Sequence, residues 1–283
     1  MQLKNTDAEV FVPDNTPEQE AIARTTHMAV GAHPDDLEIM APNLILDCYN
    51  RTDQWFCGVV TTNGAGSPRS NLYADYTDEQ MMVVRRGEQK KAAVVGEYGA
   101  LAMLNYTSAQ VKDPGTTDVV ADIKALLLAA CPKVLGTHNL ADKHPTHVAT
   151  AIRTIQTVRE LPEDARPEKV YGFEVWRGMD WIPDEEAVTF GVSQRDNISS
   201  ALVGLYDSQI SGGKRYDLAT AGRRRERATY LASHGTDTDE LLTLAMDLTP
   251  LVTDPSLDIA DYVTGYIDRF KASVAEHISA ALG

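Results

Sequence analysis

Thiols are scarce in this chain and poorly placed for chemistry. The three cysteines, Cys48, Cys57 and Cys131, are widely spaced and form no C-x-x-C pair, which excludes a disulfide framework and a thiolate metal site. Their apolar neighbours predict buried, inert sulfhydryls. No apolar run reaches membrane length, so no helical span is expected. Neither a basic n-region nor an apolar h-region opens the sequence, and the expectation is a cytoplasmic protein. Positive charge is also short, with 26 Lys and Arg against 41 Asp and Glu and a net charge of −15. That balance disfavours nucleic acid, and no local basic patch offsets it. The expected partner is a small molecule that is not strongly anionic. No internal repeat or low-complexity linker divides the 283 residues, and 43% apolar content suffices for a full core. A single domain over 1–283 is expected, with its core at about 26–192 and a helical C-terminal extension at about 193–283.

Strand-like and helix-like segments alternate. Strands are expected at 28–32, 55–62, 101–104, 133–138, 169–176 and again beyond 184. Helices are expected near 38–50, 78–97, 118–130, 144–159, 196–208, 217–233 and 257–281, and a short one follows Thr16-Pro17. This β-α rhythm predicts an α/β fold of Rossmann-like layering, a mostly parallel sheet flanked by helices.

Two segments carry the chemistry. His33-Pro34-Asp35-Asp36 stands directly after the first apolar strand, at a carboxyl end where open α/β sheets place ligand sites. One imidazole and two carboxylates on four residues offer both metal ligands and a free carboxylate for proton transfer. An ordinary turn, with Asp36 capping the next helix, is the plain alternative. About 110 residues later, Gly136 to His147 holds three of the seven histidines, and only a fold could close that gap. His144 and His147, three apart on the first turn of a helix, would face one side.

The pattern Ala32-His33-Pro34-Asp35-Asp36-x-Glu38 with the later His144-x-x-His147 resembles the PIG-L/LmbE family of zinc-dependent N-deacetylases acting on N-acetylglucosamine-containing substrates. Val59 to Gly64, Arg85-Arg86-Gly87-Glu88 and Ala92 to Gly96 fall in the family's order, and the resemblance runs from about 28 to 175. It implies that His33, Asp36 and His147 bind zinc, that Asp35 is the general base, and that His144 faces the oxyanion or the leaving amine. One departure is Thr146, where the family often has Asp; Asp142 is near enough to substitute for it in tuning His144.

Two His and one carboxylate leave a zinc position open, and water bound there has its pKa lowered to about 7. Asp35 would take the proton from that water, and Asp35 or His144 would then protonate the departing nitrogen. The expected reaction is removal of an N-acetyl group from an N-acetylglucosamine-type amino sugar. The ligands suit Zn2+, while Fe2+, Co2+ or Mn2+ fit them too. Other readings are hydrolysis of another amide, a catalytically silent metal- or sugar-binding protein, and a non-haem Fe(II) oxygenase built on His33-x-Asp35 and His147. Candidate substrate contacts are Asn63 in a glycine-bearing loop, Arg86, Glu174, and Lys214 with Arg215 as an anion clamp. His138 at a strand end merits testing. The run Arg223-Arg224-Arg225-Glu226-Arg227 reads as a solvated or intersubunit helix face, and the long C-terminal region is compatible with a homo-oligomer.

Overall fold

Runs of consecutive apolar residues, rather than alternating ones, build the central strands, as strands covered on both faces require. In the computed structural model, which describes residues 1–283, eight strands form one sheet: β1 (Glu9–Phe11), β2 (His27–Gly31), β3 (Phe56–Thr62), β4 (Ala100–Tyr106), β5 (Val134–His138), β6 (Lys169–Phe173), β7 (Val188–Gly191) and β8 (Leu242–Asp247). The order across the sheet is β1-β4-β3-β2-β5-β6-β8-β7. The run from β4 to β6 is parallel, and antiparallel pairing is confined to β1 at one edge and to β8 and β7 at the other.

The helices are α1 (Glu18–Ala23), α2 (Asp36–Met40), α3 (Pro42–Cys48), α4 (Asp78–Val95), α5 (Ser108–Lys112), α6 (Asp118–Ala130), α7 (Pro145–Arg159), α8 (Asp196–Gly204), α9 (Asp207–Ile210), α10 (Tyr216–Tyr230), α11 (Thr249–Thr253) and α12 (Ile259–Leu282). Because successive strand residues point to opposite faces, the core divides in two. Met28 and Val30 join the layer beneath α1, α6, α7 and α11, whereas Ala29 joins the layer under α2, α3 and α8. No helix is long and apolar enough to cross a membrane.

The α/β layering and mostly parallel sheet agree with the expectation, but β1, α5 and α11 lie where no element is expected, and four further points differ. The helix expected at 38–50 is two helices, because Pro42 pushes the preceding Ala41 out of helical geometry (φ −124°, ψ 43°). The helix expected at 196–208 is likewise divided at Leu205 and Tyr206. The boundary at about 192 does not separate core from extension, since β8 lies inside the sheet between β6 and β7. Finally, Cys48 and Cys57 are buried but Cys131 is exposed.

The centre of the sheet sets the site. The chain leaves β2 toward β3 on one side, and β5 leaves toward β6 on the other. The crevice at the carboxyl ends of the adjacent pair β2 and β5 is therefore the topological switch point, where such sheets bind ligands.

Candidate metal centre and its cavity

The tetrad is folded into a tight turn by its own side chains. The Asp36 Oδ2 accepts the His33 backbone N–H at 2.7 Å, which holds the turn between β2 and α2. Asp35, at φ +99°, occupies left-handed backbone that side chains seldom adopt. Its N–H is received by the Gln89 Oε1 at 3.1 Å, and Gln89 in turn donates to Glu38 at 2.8 Å. A buried relay from α4 thus fixes the strained residue in place.

The second segment arrives from β5. His138 ends that strand and is fully buried; its Nε2 accepts the Ala32 N–H at 2.9 Å, so that lone pair is already engaged. His144 precedes α7 and caps it, its Nδ1 accepting the Thr146 N–H at 3.3 Å. His147 sits in the first turn of α7, stacked between His138 and His144 with ring centroids 3.9 and 4.6 Å away.

These placements bring three donor atoms together. The His33 Nδ1 is 3.2 Å from the Asp36 Oδ2 and 3.1 Å from the His147 Nε2, and the last two are 3.3 Å apart. Ligands about 2.0 Å from a common ion in tetrahedral array are separated by about 3.3 Å, so the triangle has the size of a divalent metal site. His144 converges with His33 and His147 as a further metal-capable donor. The donor set therefore fits the metal that the motif implies. His138, Asp36 and His147 also converge, but the engaged Nε2 of His138 makes it a buttress rather than a ligand. Behind the triangle, the Asp142 Oδ1 stands 3.6 Å from the His147 Nδ1 and accepts the His144 backbone N–H at 2.8 Å. Asp142 thus faces the ring of His147, not that of His144, in the manner of a carboxylate behind a metal-binding imidazole.

Electrostatics separate the two adjacent carboxylates. Burial pushes Asp35 up to about 7, opposed by Arg85, whose Nη2 donates to the Asp35 Oδ2 at 3.0 Å. Burial acts on Asp36 in the same direction, yet His147 and His138 hold it well below the usual carboxylate range. One carboxyl is a permanent anion and its neighbour can exchange a proton near neutrality. Burial lowers His147 to about 4, and burial with the His33 charge lowers His144. Asp142 resists the effect of its burial and lies at about 2, held there by His147 and the His144 N–H.

A cavity of about 550 Å³ opens over this centre, with His33, Asp35, Asp36, His144 and His147 in its wall. Of the substrate contacts expected from sequence, Lys214 and Glu174 line it, whereas Asn63, Arg86 and Arg215 do not. Asn63 closes a local turn by accepting the Ala65 N–H. Arg86 lies 3.8 Å from Glu9 at the surface, and Arg215 is held bidentately by Asp217. Glu174 is occupied by Arg227, which donates to both of its oxygens at 3.3 and 3.1 Å. Arg85, one position from the expected arginine, is the one that reaches the centre. The run 223–227 is not a solvated face: Arg223 and Arg224 line the cavity and Arg227 is buried, while only Arg225 and Glu226 are exposed. The α10 stripe Tyr216, Thr220, Arg223, Arg224, Arg227, at helical spacing, carries the signal that composition hides.

Residues 28–158 match the family model described as PIG-L: GlcNAc-PI de-N-acetylase. No curated protein matches the chain. Among solved structures, the chain is similar to a conserved protein of Thermus thermophilus, at 17% identity over 83% of this chain and 99% of that one, with a TM-score of 0.59. It is similar to GalB, the 4-carboxy-2-hydroxymuconate hydratase of Pseudomonas putida, at 14% identity over 79% and 96%, TM-score 0.63. It is also similar to the N,N'-diacetylchitobiose deacetylase of Pyrococcus horikoshii, at 14% identity over 78% and 83%, TM-score 0.60. At such identities the likeness is one of fold.

Proposed function

Residues 28–158 form a PIG-L domain, and from that premise we propose that the chain is a metal-dependent hydrolase that removes an N-acetyl group from an amino sugar of the N-acetylglucosamine type. The observation that carries this reading is the pairing of a metal-sized donor triangle with a separate, proton-exchanging carboxyl on consecutive residues, Asp35 and Asp36.

His33, Asp36 and His147 would hold the metal, with zinc the first choice. A divalent ion held there supplies Lewis acidity toward a water molecule and the acyl oxygen. Asp35 receives the proton of the attacking water and returns it to the nitrogen, since an amide anion is too basic to leave unprotonated. Arg85 keeps the carboxyl of Asp35 aimed and limits the rise in its pKa. His144, whose Nδ1 is committed to the Thr146 N–H, carries its proton on Nε2 when neutral and can donate it to the developing oxyanion. Asp142 orients His147, and Trp176 with the Gly64 to Pro68 loop bounds the space for the sugar.

The test is primary-amine release from a panel of N-acetylglucosamine derivatives by zinc-loaded protein, with Asp35→Asn beside it. Amine released by the wild type alone supports the reading. Silence across the panel with stoichiometric metal bound overturns it in favour of another amide, or of water addition such as the hydratase neighbour's name describes.

A further inference from the structure

The charged groups of the cavity fall into two kinds. Arg85 is neutralised by Asp35, and Glu174 by Arg227. The α10 wall is different. Arg224 is 5% exposed, and only its Nη2 is engaged, donating to the carbonyls of Glu38 at 2.7 Å and Ile39 at 3.3 Å. Its Nε has no partner, its Nη1 makes no hydrogen bond, and no carboxylate lies within ion-pair distance. Arg223, the next residue, gives its Nη1 to the Val175 carbonyl and forms no ion pair, since the acids near enough to feel its charge, Glu174 and Asp180, are both bound by Arg227. At the rim, the Lys214 ammonium stands 5.1 Å from the Trp176 ring centre, also without a carboxylate.

Capping the end of α2 accounts for one nitrogen of Arg224 and leaves the charge itself uncompensated. A guanidinium withdrawn from water without a counter-charge is costly, and in a chain with net charge −15 an acid to pair it was readily available. We propose that the substrate carries an anionic oxyacid group, a carboxylate or a phosphate, that seats against Arg224 and Arg223 with Lys214 closing over it. The planar fork of an arginine matches two oxygens of either group, and the low-dielectric setting makes the contact selective against a neutral analogue. This deepens the proposed function, resting on the cavity being the substrate site but not on which bond is broken there. It also revises the expectation of a substrate that is not strongly anionic, because the local field inside the cavity runs opposite to the net charge.

The experiment is calorimetric binding to the metal-loaded full chain at low salt. The probes are N-acetylglucosamine, its 1-phosphate, its 6-phosphate, its uronic acid and its 3-O-lactyl ether. The expected result is that at least one charged probe binds tenfold or more tighter than the neutral sugar, on the order of one buried charge pair. That preference should fall at least fivefold in Arg224→Met and in Arg223→Gln; the second, half-buried position keeps the test usable where the first disturbs folding. Whichever of carboxylate or phosphate gains more identifies the source of the oxyanion. Equal binding of charged and neutral probes overturns the proposal. So does a preference that survives both substitutions, which would assign the anion to the metal instead. Amine release is read separately, so selective anion binding without turnover would count against the deacetylase and not against this wall.

Discussion

Replacing Arg227 with methionine should cost about 3–5 kcal/mol of stability, because it strands a buried carboxylate. Glu174 is 3% exposed and takes both of its hydrogen bonds from Arg227, which reaches it from α10 and ties that helix to the end of β6. Set against a total of roughly 5–15 kcal/mol, this is a large fraction, and at about 2 °C per kcal/mol for a chain of this size it lowers Tm by roughly 6–10 °C. The pH dependence has a definite sign. Burial already raises the pKa of Glu174 beside Arg227, and removing the cation raises it further. The native state then keeps a proton that the unfolded chain releases above about pH 4.3, so stability falls as pH rises toward the folded pKa and returns on acidification. Urea unfolding of wild type, Arg227→Met, Glu174→Gln and the double variant at pH 5 and pH 8 measures this. The deficit of Arg227→Met should be smaller at pH 5, and the double variant should recover most of it, since neither charge remains. A loss under about 1 kcal/mol, or a double variant no better than Arg227→Met, would refute the reasoning. If Glu174→Gln instead abolished turnover with stability unchanged, Glu174 would be a substrate ligand and not half of a structural pair.

His147→Ala should lose bound metal on dialysis, read by elemental analysis, while Asp35→Asn should retain it and lose about 10²–10⁴ in kcat. Asparagine is chosen because it tolerates the left-handed backbone at φ +99° better than alanine. Asp142→Asn should weaken metal affinity by roughly 10–100-fold in a chelator competition, through loss of the carboxylate behind His147; an unchanged affinity would remove Asp142 from the centre. Burial raises Glu38 above its ordinary pKa, so this fully buried acid contributes stability that is lost as pH rises above about 4.3 toward its folded pKa. Glu38→Gln should therefore gain on the wild type between pH 5 and pH 8 in unfolding experiments, and parallel curves would show that Glu38 does not titrate with folding.

The parts of the site that sequence reading found are those whose neighbours are near in sequence. The tetrad announces itself by following a buried strand, and His144-x-x-His147 by opening a helix. What it misplaced depends on rotation about a helix axis. Arg85 and Arg86 differ by one position, about 100° of turn, and only one shares the buried stripe of Met81, Glu88, Gln89 and Ala92. The same rotation decides which arginines of α10 face the cavity. Lys214 lines the cavity, while Arg215 turned to its neighbour Asp217, a local pairing that a clamp at that position had to outcompete. β8 escaped notice because its sheet partners, β6 and β7, are fixed by long-range register and not by any pattern in Leu242–Asp247.

The division of labour along the chain follows from this geometry. Every side chain proposed for the reaction, His33, Asp35, Asp36, Arg85, His144 and His147, lies within residues 28–158, the span that matches the family. The facing wall, with Trp176, Lys214, Tyr216, Arg223 and Arg224, lies outside it. Arg224 joins the two, because the nitrogen that caps the Glu38 and Ile39 carbonyls holds α2, which carries Asp36 of the donor triangle, against α10. A change on α10 can therefore alter what is bound without touching the donor triangle, whereas no change there can supply a missing ligand. Solved structures of one fold, at 14–17% identity, include both a deacetylase and a hydratase. A likeness of fold at this level therefore does not fix the reaction, which the chemistry of the cavity and the amine-release assay must decide.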